Sequence, residues 1–589
     1  MKRLLKYFDG YKLTSLLGPF FKLLEAAFEL IIPLVVSTMI DKGIIAGDKA
    51  YCTRMVFVMI LLGFVGFMSA ITAQYFAARS AIGFAGNVRS ALFRHMQSLS
   101  YSDMDRLGTG TLITRMTSDV NQMQNGVNMA LRLLLRSPLI VFGAMIMAFT
   151  QDVHAAVIFV IVIPILAIIV FAIIAVTIPG YKKVQAKLDR VLNLTRENAN
   201  GVRVIRAFGN EEEEVEKFAE ANDGLRELQN KVGRISAYTN PLTYVVINFA
   251  IMALIYVCGI RVDSGKMSTG VTVALYNYMS QILVELIKLA NLIITITKAL
   301  ASANRVADIL ETKPGMKDGE KSFGEFKKTA SGTKETPVVE FDHAFISYAG
   351  GGQGALSDVN FSVSRGETVG IIGGTGSGKS TLVNLIPRFY DVTGGAVRVN
   401  GCDVRDLKLS ELRKHIGIVM QHAVLFKGDI RSNLAFSNGE ASDEEMLAAL
   451  KDAQMGDFSL EREVTQGGGN LSGGQKQRIS VARALVRKPD ILILDDSSSA
   501  LDYATDLAMR TAIKKLDYEP TTFIVSQRCA SVAHADKIIV LDDGHVAGMG
   551  SHSELLRSNE VYREIYNSQV KSEEGIKDEL LSEESEVPE

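Results

Sequence analysis

Residues 154–178 form a run of 25 residues without an acidic or basic side chain when His154 is neutral. A helix needs roughly 20 such residues to cross the hydrocarbon core of a bilayer. A helix in the core of a soluble protein would carry a polar stripe, and this run has none. The run therefore predicts a transmembrane helix and places this part of the chain in a membrane.

Five further stretches have the length and composition of membrane-spanning helices, which gives six predicted spans. Two of the five contain no charged residue, and the other three are less uniformly apolar. The five stretches lie at about 14–40, 55–78, 128–150, 240–260 and 270–298. Because six is an even number, both ends of the chain are expected on the same side of the membrane.

Lysine and arginine concentrate near the N-terminus and in two long polar segments, 79–127 and 179–239, whereas the turn at 150–153 has neither. Short loops rich in these residues stay on the cytoplasmic side. We therefore predict a multi-pass membrane protein with both termini in the cytoplasm. The polar segments keep helical periodicity and are predicted to extend into the cytosol, with tips near 101–109 and 201–209 that touch the following domain.

Charged side chains also occur inside the predicted spans. Each costs about 3 kcal/mol at the bilayer centre, so these residues should face the bundle interior or an aqueous cavity. Two interpretations stay open: a polar translocation pathway, or structural pairs that neutralise each other or lie among the headgroups. The residues are Glu25, Glu29, Arg132, Arg136, Glu285 and Lys288.

The composition averages over two unlike parts. The chain is 48% hydrophobic with a mean hydropathy of +0.18, which is high for a soluble protein that is also 22% charged. A net charge of −2 gives no indication of nucleic acid as a partner. The predicted domains are a transmembrane domain at 1–310, a linker at 311–336, a second domain at 337–570 and an acidic disordered tail at 571–589.

The second half contains a glycine-rich loop, GGTGSGKST at 373–381, ahead of a predicted helix at 379–389. Residues 373–380 fit the phosphate-binding pattern G-x-x-x-x-G-K-[ST]. Glycines let consecutive N–H groups converge on phosphate oxygens, and the helix N-terminus adds partial positive charge. Lys379 would reach the β- and γ-phosphates, and Ser380 would ligate Mg²⁺. The predicted phosphate-binding residues are Gly373, Gly374, Thr375, Gly376, Ser377, Gly378, Lys379, Ser380 and Thr381.

Short apolar strands alternate with helical segments and turns from residue 338 onward. This alternation is typical of an α/β domain with a largely parallel sheet. The predicted strands are 338–348, 367–373, 396–401, 415–420, 490–496, 521–527 and 537–544. At about 235 residues, the domain can bury a core of its own.

Motifs downstream of the loop resemble those of a known family. LSGGQ at 471–475, followed by KQRISVARAL, resembles the signature of ATP-binding-cassette (ABC) ATPases. The strand that ends at Asp495 and Asp496, and the SSSALD segment that ends at Asp502, are similar to the family's second nucleotide-binding motif and the loop after it. Six spans ahead of one such domain resemble the ABC exporter half-transporters over nearly the whole chain.

The resemblance implies that two halves pair and that each ATP, with its Mg²⁺, lies between the phosphate loop of one half and LSGGQ of the other. The helix N-terminus, serine hydroxyl and glycine amides of LSGGQ would meet the γ-phosphate. By position, Gln421 is the family's metal- and coupling-loop glutamine, and Tyr348 is the aromatic residue that stacks on adenine. Magnesium would be held by Ser380, Gln421 and Asp495. The other implied nucleotide-binding residues are Leu471, Ser472, Gly473, Gly474, Gln475 and Asp502.

Two positions depart from the family pattern in one catalytic centre. The pattern has a glutamate where this chain has Asp496, whose carboxylate falls about 1 to 1.5 Å short of the geometry that a general base needs. The pattern has a histidine where this chain has Gln527, which cannot carry positive charge. Asp496, Gln527 and Gln421 are the predicted catalytic residues. Losing general-base help typically lowers a rate by about 10²- to 10⁴-fold.

These departures favour a heterodimer over a homodimer. This chain would hold ATP in a slow, degenerate site and lend its intact LSGGQ to a competent site completed by the partner's glutamate. Such pairs resemble bacterial heterodimeric multidrug exporters, so a bacterial cell membrane is the expected location. The interval from Gln421 to Leu471 is several residues shorter than is usual in the family, which puts in doubt the helices just before the signature.

The leading functional hypothesis is ATP-driven export of small amphipathic molecules or drugs by one half of a heterodimer. Acidic residues in the spans give a weak preference for amphipathic cations as the small-molecule substrate. Two alternatives stay open: an ATP-gated channel or regulatory sensor, and a homodimeric lipid or peptide transporter or importer of the same architecture.

Overall fold

The computed structural model describes residues 2–322, 337–348, 354–497 and 499–569. The chain divides into two compact units, one formed by Met1–Gln97 with Thr109–Thr312, the other by Ser98–Gly108 with Lys313–Glu589. The predicted acidic tail and residues 323–336 of the predicted linker lie outside the described residues.

The first unit is helical, and six of its helical stretches are long and apolar enough to cross a membrane. The six predicted spans are therefore confirmed in number and order. In chain order the helices are α1 (Lys12–Met39), α2 (Lys49–Ser98), α3 (Tyr101–Leu107, in the second unit), α4 (Thr109–Thr114), α5 (Val120–Leu133), α6 (Arg136–Gln151), α7 (Val153–Phe208), α8 (Glu211–Ala237), α9 (Thr239–Asp263) and α10 (Thr269–Glu311). A 3₁₀ helix covers Lys2–Phe8, and π-helical turns cover Ile40–Ile44 and Arg115–Asp119.

The predicted third span is interrupted. α5 ends at Leu133 and α6 begins at Arg136, so a turn falls inside the segment predicted as one helix. Pro138, in the first turn of α6, explains the break. Proline has no N–H to donate four residues back, and its ring clashes with the carbonyl there.

Apolar residues of the first unit form both a buried core and an outward-facing surface. The core includes Phe159 and Tyr278, and the Tyr278 hydroxyl donates a 2.7 Å hydrogen bond to the Leu30 carbonyl. On α2, by contrast, large apolar side chains such as Phe57 and Phe64 are more than 60% exposed. A long helix with apolar side chains on its outer face fits a lipid environment.

The described part of the second unit contains two main sheets and a short pair, β7 with β8. A six-stranded sheet has the order β12-β11-β3-β10-β9-β6, and all of its neighbours pair in parallel except β11 with β12. A four-stranded antiparallel sheet has the order β2-β1-β4-β5. The strands are β1 (Val339–Ile346), β2 (Leu356–Val363), β3 (Thr368–Gly373), β4 (Gly394–Val399), β5 (Cys402–Asp403), β6 (Ile416–Val419), β7 (Gly428–Asp429), β8 (Glu463–Val464), β9 (Ile491–Asp495), β10 (Thr521–Val525), β11 (Lys537–Asp542) and β12 (His545–Gly550).

The parallel sheet is buried on both faces. Ile371, Ile493 and Phe523 pack toward the antiparallel sheet, whereas Ile372, Leu492 and Ile524 belong to a second core that includes helical residues. Those helices, with the others of this unit, are Lys379–Leu385, Leu409–Lys414, Ile430–Ala435, Asp443–Asp452, Gly473–Val486, Tyr503–Lys514, Cys529–Val532, His552–Ser558 and 560–569.

The sequence correctly predicted a helical membrane part followed by an α/β domain, but it missed the antiparallel sheet. β1 and β4 were expected in a largely parallel sheet, and they lie in the antiparallel one instead. The two-residue turn at Asn400 and Gly401 explains why β4 and β5 pair antiparallel, because parallel neighbours need a crossover of a dozen or more residues. Despite the short interval before the signature, helices Ile430–Ala435 and Asp443–Asp452 are formed there.

The first part of the predicted linker is held in place within the second unit. Lys321 forms a parallel bridge with Leu407, and the Asp318 carboxylate accepts a 2.7 Å hydrogen bond from the Leu409 N–H. The Gly315 N–H donates a 2.8 Å hydrogen bond to Asp103 of α3. These residues of the predicted linker are therefore held by hydrogen bonds to the rest of the second unit.

Candidate nucleotide-binding site

The glycine-rich loop joins β3 to the helix Lys379–Leu385. This helix ends four residues earlier than predicted. Within the loop, Gly376 and Gly378 have φ angles of 85° and 96°. A Cβ on Gly378 would lie 2.7 Å from the Leu356 Cδ2 and 2.8 Å from the Ala355 carbonyl oxygen. Conformation and space both demand glycine at this position.

Lys379 is folded into the loop that precedes it. Its ammonium donates hydrogen bonds to the carbonyls of Gly373 (2.9 Å) and Gly374 (2.6 Å). Burial lowers the pKa of Lys379, while the nearby carboxylates of Asp496 and Asp495 oppose that shift. A buried ammonium among loop carbonyls is placed to meet an anion that enters the loop.

Two candidate magnesium ligands lie side by side. The Ser380 hydroxyl donates a 3.0 Å hydrogen bond to the Asp495 carboxylate, at the end of β9. Burial raises the pKa of Asp495, so a cation beside it would stabilise the ionised form. Hydroxyl and carboxylate oxygens are hard donors of the kind that Mg²⁺ takes, so these residues fit that ion.

Asp496 and Gln421 form the next pair along the site. The Gln421 side-chain amide donates a 3.4 Å hydrogen bond to the Asp496 carboxylate. Burial raises the pKa of Asp496. Its φ angle of 45° lies in the left-handed region, which aspartate tolerates better than most residues.

The loop, Asp496 and Gln527 line one cavity of about 380 Å³. Tyr348 lies at this cavity, and its hydroxyl donates a 3.2 Å hydrogen bond to the Thr381 hydroxyl. The sequence analysis did not single out Ala355 and Ser526, which also line it. The lining residues are Tyr348, Ala355, Thr375, Gly376, Gly378, Lys379, Ser380, Thr381, Gln421, Asp496, Ser526 and Gln527.

The LSGGQ residues lie elsewhere in the unit. Ser472 caps the helix Gly473–Val486 by accepting a 3.3 Å hydrogen bond from the Gln475 N–H, and the Gln475 side chain accepts a 3.0 Å bond from the Ser472 N–H. Among the described residues, neither this segment nor Asp502 lines the cavity. Asp502 caps the helix Tyr503–Lys514 through a 2.9 Å hydrogen bond from the Thr505 N–H.

An aromatic cluster connects the cavity to α3. The Tyr390 ring packs edge-on against Tyr348 with centroids 5.0 Å apart, and Tyr101 lies 4.6 Å from Phe389. The sequence reasoning placed the 101–109 tip correctly as a contact segment but missed Tyr390. The signal available was the aromatic pair FY at 389–390, shortly after the phosphate loop.

Comparisons with known proteins agree with this architecture. Residues 15–286 match the model of the ABC transporter transmembrane region, and residues 356–499 match the ABC transporter model. An ATP-dependent lipid A-core flippase of Desulfotalea psychrophila is 31% identical over 97% of this chain and 99% of its own length. A Bacillus subtilis protein with the name "Putative multidrug export ATP-binding/permease protein YgaD" is also 31% identical, over 97% of this chain and 99% of its own length.

The solved structure of a bacterial Atm1-family ABC exporter with ATP bound has a TM-score of 0.77 to this chain. The match covers 96% of this chain and 98% of that one at 23% sequence identity. At that identity, the likeness concerns the fold. It extends over both the helical unit and the α/β unit.

Proposed function

This chain belongs to the ABC transporter family, as a transmembrane region and an ABC ATPase fused in one polypeptide, and from that premise we propose that it is the degenerate half of an asymmetric exporter. The exporter class and the ATPase activity come with the family relationship. The asymmetric pairing, the role of this chain in it and the substrate, small amphipathic molecules or drugs, are the proposal. The names of these two relatives refer to a lipid flippase and to multidrug export, which supports an amphipathic substrate.

Nucleotide binding at this chain's own loop is supported by the geometry. Lys379 and the loop N–H groups would hold the ATP phosphates, while Ser380 and Asp495, with Gln421, would hold Mg²⁺. The bound ion would neutralise charge that develops on the phosphates. The helical part would span a cell membrane, with the ATPase domain and both termini in the cytoplasm.

The proposal that hydrolysis at that loop is slow depends mainly on one observation. A short carboxylate, Asp496, lies next to the intact magnesium ligands and accepts a 3.4 Å hydrogen bond from Gln421. The neighbouring Gln527 lines the same cavity and stays uncharged at every pH. The site thus keeps the groups for binding and lacks the longer carboxylate and the ionisable switch residue that would speed attack by water.

The need for a second subunit is supported by the position of LSGGQ. Ser472 and its helix N-terminus lie outside this chain's own cavity, so they are free to complete a site on another molecule. In the proposed pair, the competent site combines the partner's phosphate loop and glutamate with this chain's Ser472 to Gln475.

The test is ATP turnover by the purified full-length chain, alone and with its partner subunit, in detergent or nanodiscs. We expect slow turnover alone and fast turnover in the pair. Replacing Asp496 with glutamate and Gln527 with histidine should raise the turnover of the chain alone by about 10²-fold or more. Asp496→Asn should have a mild effect in the pair.

Ser472→Ala provides the matched control, because it leaves this chain's own loop intact and removes a group from the partner's site. In the pair it should lower turnover far more than Asp496→Asn does. Brisk turnover by the unmodified chain on its own would reject the asymmetric pair and establish a homodimer of the same architecture.

A further inference from the structure

An ionic chain crosses the helical unit from α1 through α6 to α10. The Arg136 guanidinium bonds to Glu29 through one terminal nitrogen and to Glu285 through the other, at 2.6 Å each. The Lys288 ammonium donates a 2.8 Å hydrogen bond to the same Glu285 oxygen. The sequence Glu29, Arg136, Glu285, Lys288 therefore alternates in sign and has no net charge.

The two inner members of this chain are buried, and the two end members are not. Side-chain exposure is 8% for Arg136 and 3% for Glu285, but 37% for Glu29 and 43% for Lys288. Both exposed ends line one cavity of about 410 Å³. The cavity wall thus includes a carboxylate and an ammonium that are each partly exposed.

The rest of the cavity wall has both polar and apolar parts. The Gln281 side-chain oxygen is buried and has no hydrogen-bond partner in the described part of the chain, so it can accept a bond from a ligand. The apolar part can cover hydrocarbon. The remaining lining residues are Ile32, Pro33, Val36, Asn277, Ser280 and Val284, besides Glu285.

The depth of the cavity in the bilayer follows from helix geometry. Glu285 lies 16 residues after Thr269, where α10 begins, and Arg136 lies 15 residues before Gln151, where α6 ends. At 1.5 Å per residue these are about 24 and 23 Å. In a hydrocarbon core about 30 Å thick, both residues lie toward the leaflet farther from those helix ends. A lipid-like head could enter at that level while its tail stays in the bilayer.

The zero net charge of the ionic chain indicates which charges a ligand of this cavity should carry. A single positive group could bind Glu29 but would add net charge to a neutral site within the bilayer and be repelled by Lys288. A single negative group could bind Lys288 but would add net negative charge to the site and be repelled by Glu29. A molecule with one group of each sign closes the alternating chain into a neutral ring.

We propose that this cavity binds the head of a zwitterionic amphiphile, with its ammonium at Glu29 and Gln281 and its phosphate or carboxylate at Lys288. The inference deepens the proposed export function, whose substrate it would name, and rests on it for the transport step only. It replaces the weak preference for amphipathic cations with a preference for paired charges.

The experiment compares ligands that share one tail. Full-length protein in a non-ionic detergent, without nucleotide, is titrated with radiolabelled dodecylphosphoethanolamine, dodecylammonium and dodecyl phosphate. We expect the zwitterion to bind at least about tenfold more tightly than either singly charged compound. Equal or weaker binding of the zwitterion overturns the proposal. Phosphoethanolamine without the tail should bind weakly, and equally tight binding would overturn the amphiphile part.

Two variants at the open ends should shift the preference in opposite directions. Lys288→Gln should turn it toward dodecylammonium and Glu29→Gln toward dodecyl phosphate. Lys22→Gln is the matched control, because Lys22 pairs with Glu25, which lies 3.8 Å from Arg136, and Lys22 is not among the described lining residues. Shifts in the same direction, or none, would overturn the proposal. The order of the three ligand affinities in the wild-type protein tests the proposal even if a variant does not fold.

Failure of the export function can be distinguished from failure of this inference. Binding is measured without ATP, so a chain that binds the zwitterion but never moves it in proteoliposomes with its partner would reject export alone. A chain that exports singly charged amphiphiles without binding the zwitterion would reject the inference alone.

Discussion

The Tyr390 hydroxyl donates a 2.9 Å hydrogen bond to the Asp105 carboxylate. Tyr390 belongs to the ATPase sequence, whereas Asp105 lies in α3, between two membrane-spanning stretches of the chain. The same tyrosine ring packs against Tyr348 at the nucleotide cavity. One side chain therefore contacts both the residue expected to stack on adenine and the segment, between two membrane spans, that was predicted to touch the ATPase domain.

Tyr390→Phe should separate nucleotide binding from coupling. The ring contact with Tyr348 remains, so ATP affinity should stay within about twofold, while the charge-assisted hydrogen bond, worth about 1.5 to 3 kcal/mol, is lost. Substrate stimulation of ATP turnover in the assembled transporter should fall. Tyr562→Phe, which removes a hydroxyl bonded to His552 at 2.7 Å, is the control and should leave stimulation unchanged. A large loss of ATP affinity in Tyr390→Phe would contradict this role.

Gly378→Ala should disable the phosphate loop, whereas Gly374→Ala should leave its fold intact. A methyl group on Gly378 meets Leu356 and Ala355 at a positive φ, but one on Gly374 meets no atom within 4 Å among the described residues. Strain of about 1 to 3 kcal/mol at Gly378 corresponds to a loss in ATP affinity of about 5- to 150-fold. Binding of a fluorescent ATP analogue measures it. Equal effects of the two substitutions would show that the contacts are unimportant.

Arg136→Ala should destabilise the helical unit more than Arg132→Ala. Arg136 is ion-paired with Glu25, Glu29 and the buried Glu285, so its removal takes one cation from all three carboxylates and leaves Lys288 to balance Glu285. Breaking a buried ion pair typically costs about 3 to 5 kcal/mol. Thermal unfolding in detergent should show a clearly lower midpoint for Arg136→Ala. Similar midpoints for both variants would mean that the network adds little stability.

Ser100→Ala should loosen α3. Ser100 caps this helix and forms a reciprocal capping box with Asp103. Loss of such a cap typically costs about 1 kcal/mol. Exposed Ser102, within α3, is the matched position, and Ser102→Ala should not be destabilising. Hydrogen exchange of the α3 amides in the full-length protein measures the difference, and equal protection in the two variants would count against the cap.

Asp103→Asn should have an effect that depends on pH. Burial by itself raises the pKa of Asp103, but hydrogen bonds from Ser100 and from the Gly315 N–H hold the pKa below its ordinary value. A lowered pKa in the folded state gives stability that is present above the unfolded pKa of about 3.9 and is lost as the pH falls through the folded value. The variant should be less stable than wild type at pH 7, and the gap should close below about pH 4. If the stability difference between Asp103→Asn and wild type were unchanged at pH 3, it would not come from the ionised Asp103 carboxylate.

The sequence predicted a nucleotide site from parts that are each local in the chain. The loop from Gly373 to Ser380 and the strand ending at Asp495 each carry their chemistry within a few residues, and apolar runs reveal strands and spans without reference to distant residues. Helix breaks were harder to predict, as at Pro138 in the third span, because apolar composition continues across them.

Relations between distant segments depended on the tertiary structure. The sequence identified Glu29, Arg136 and Glu285 as charges in spans and could not choose between a pathway and structural pairs, since the pairing joins residues more than 100 positions apart. The partners of Arg136 are glutamates on other helices, α1 and α10. The identity of each span and motif was therefore determined by periodicity and residue type along the chain. Which charges meet, and which strands form the second sheet, was decided only when packing brought remote segments together.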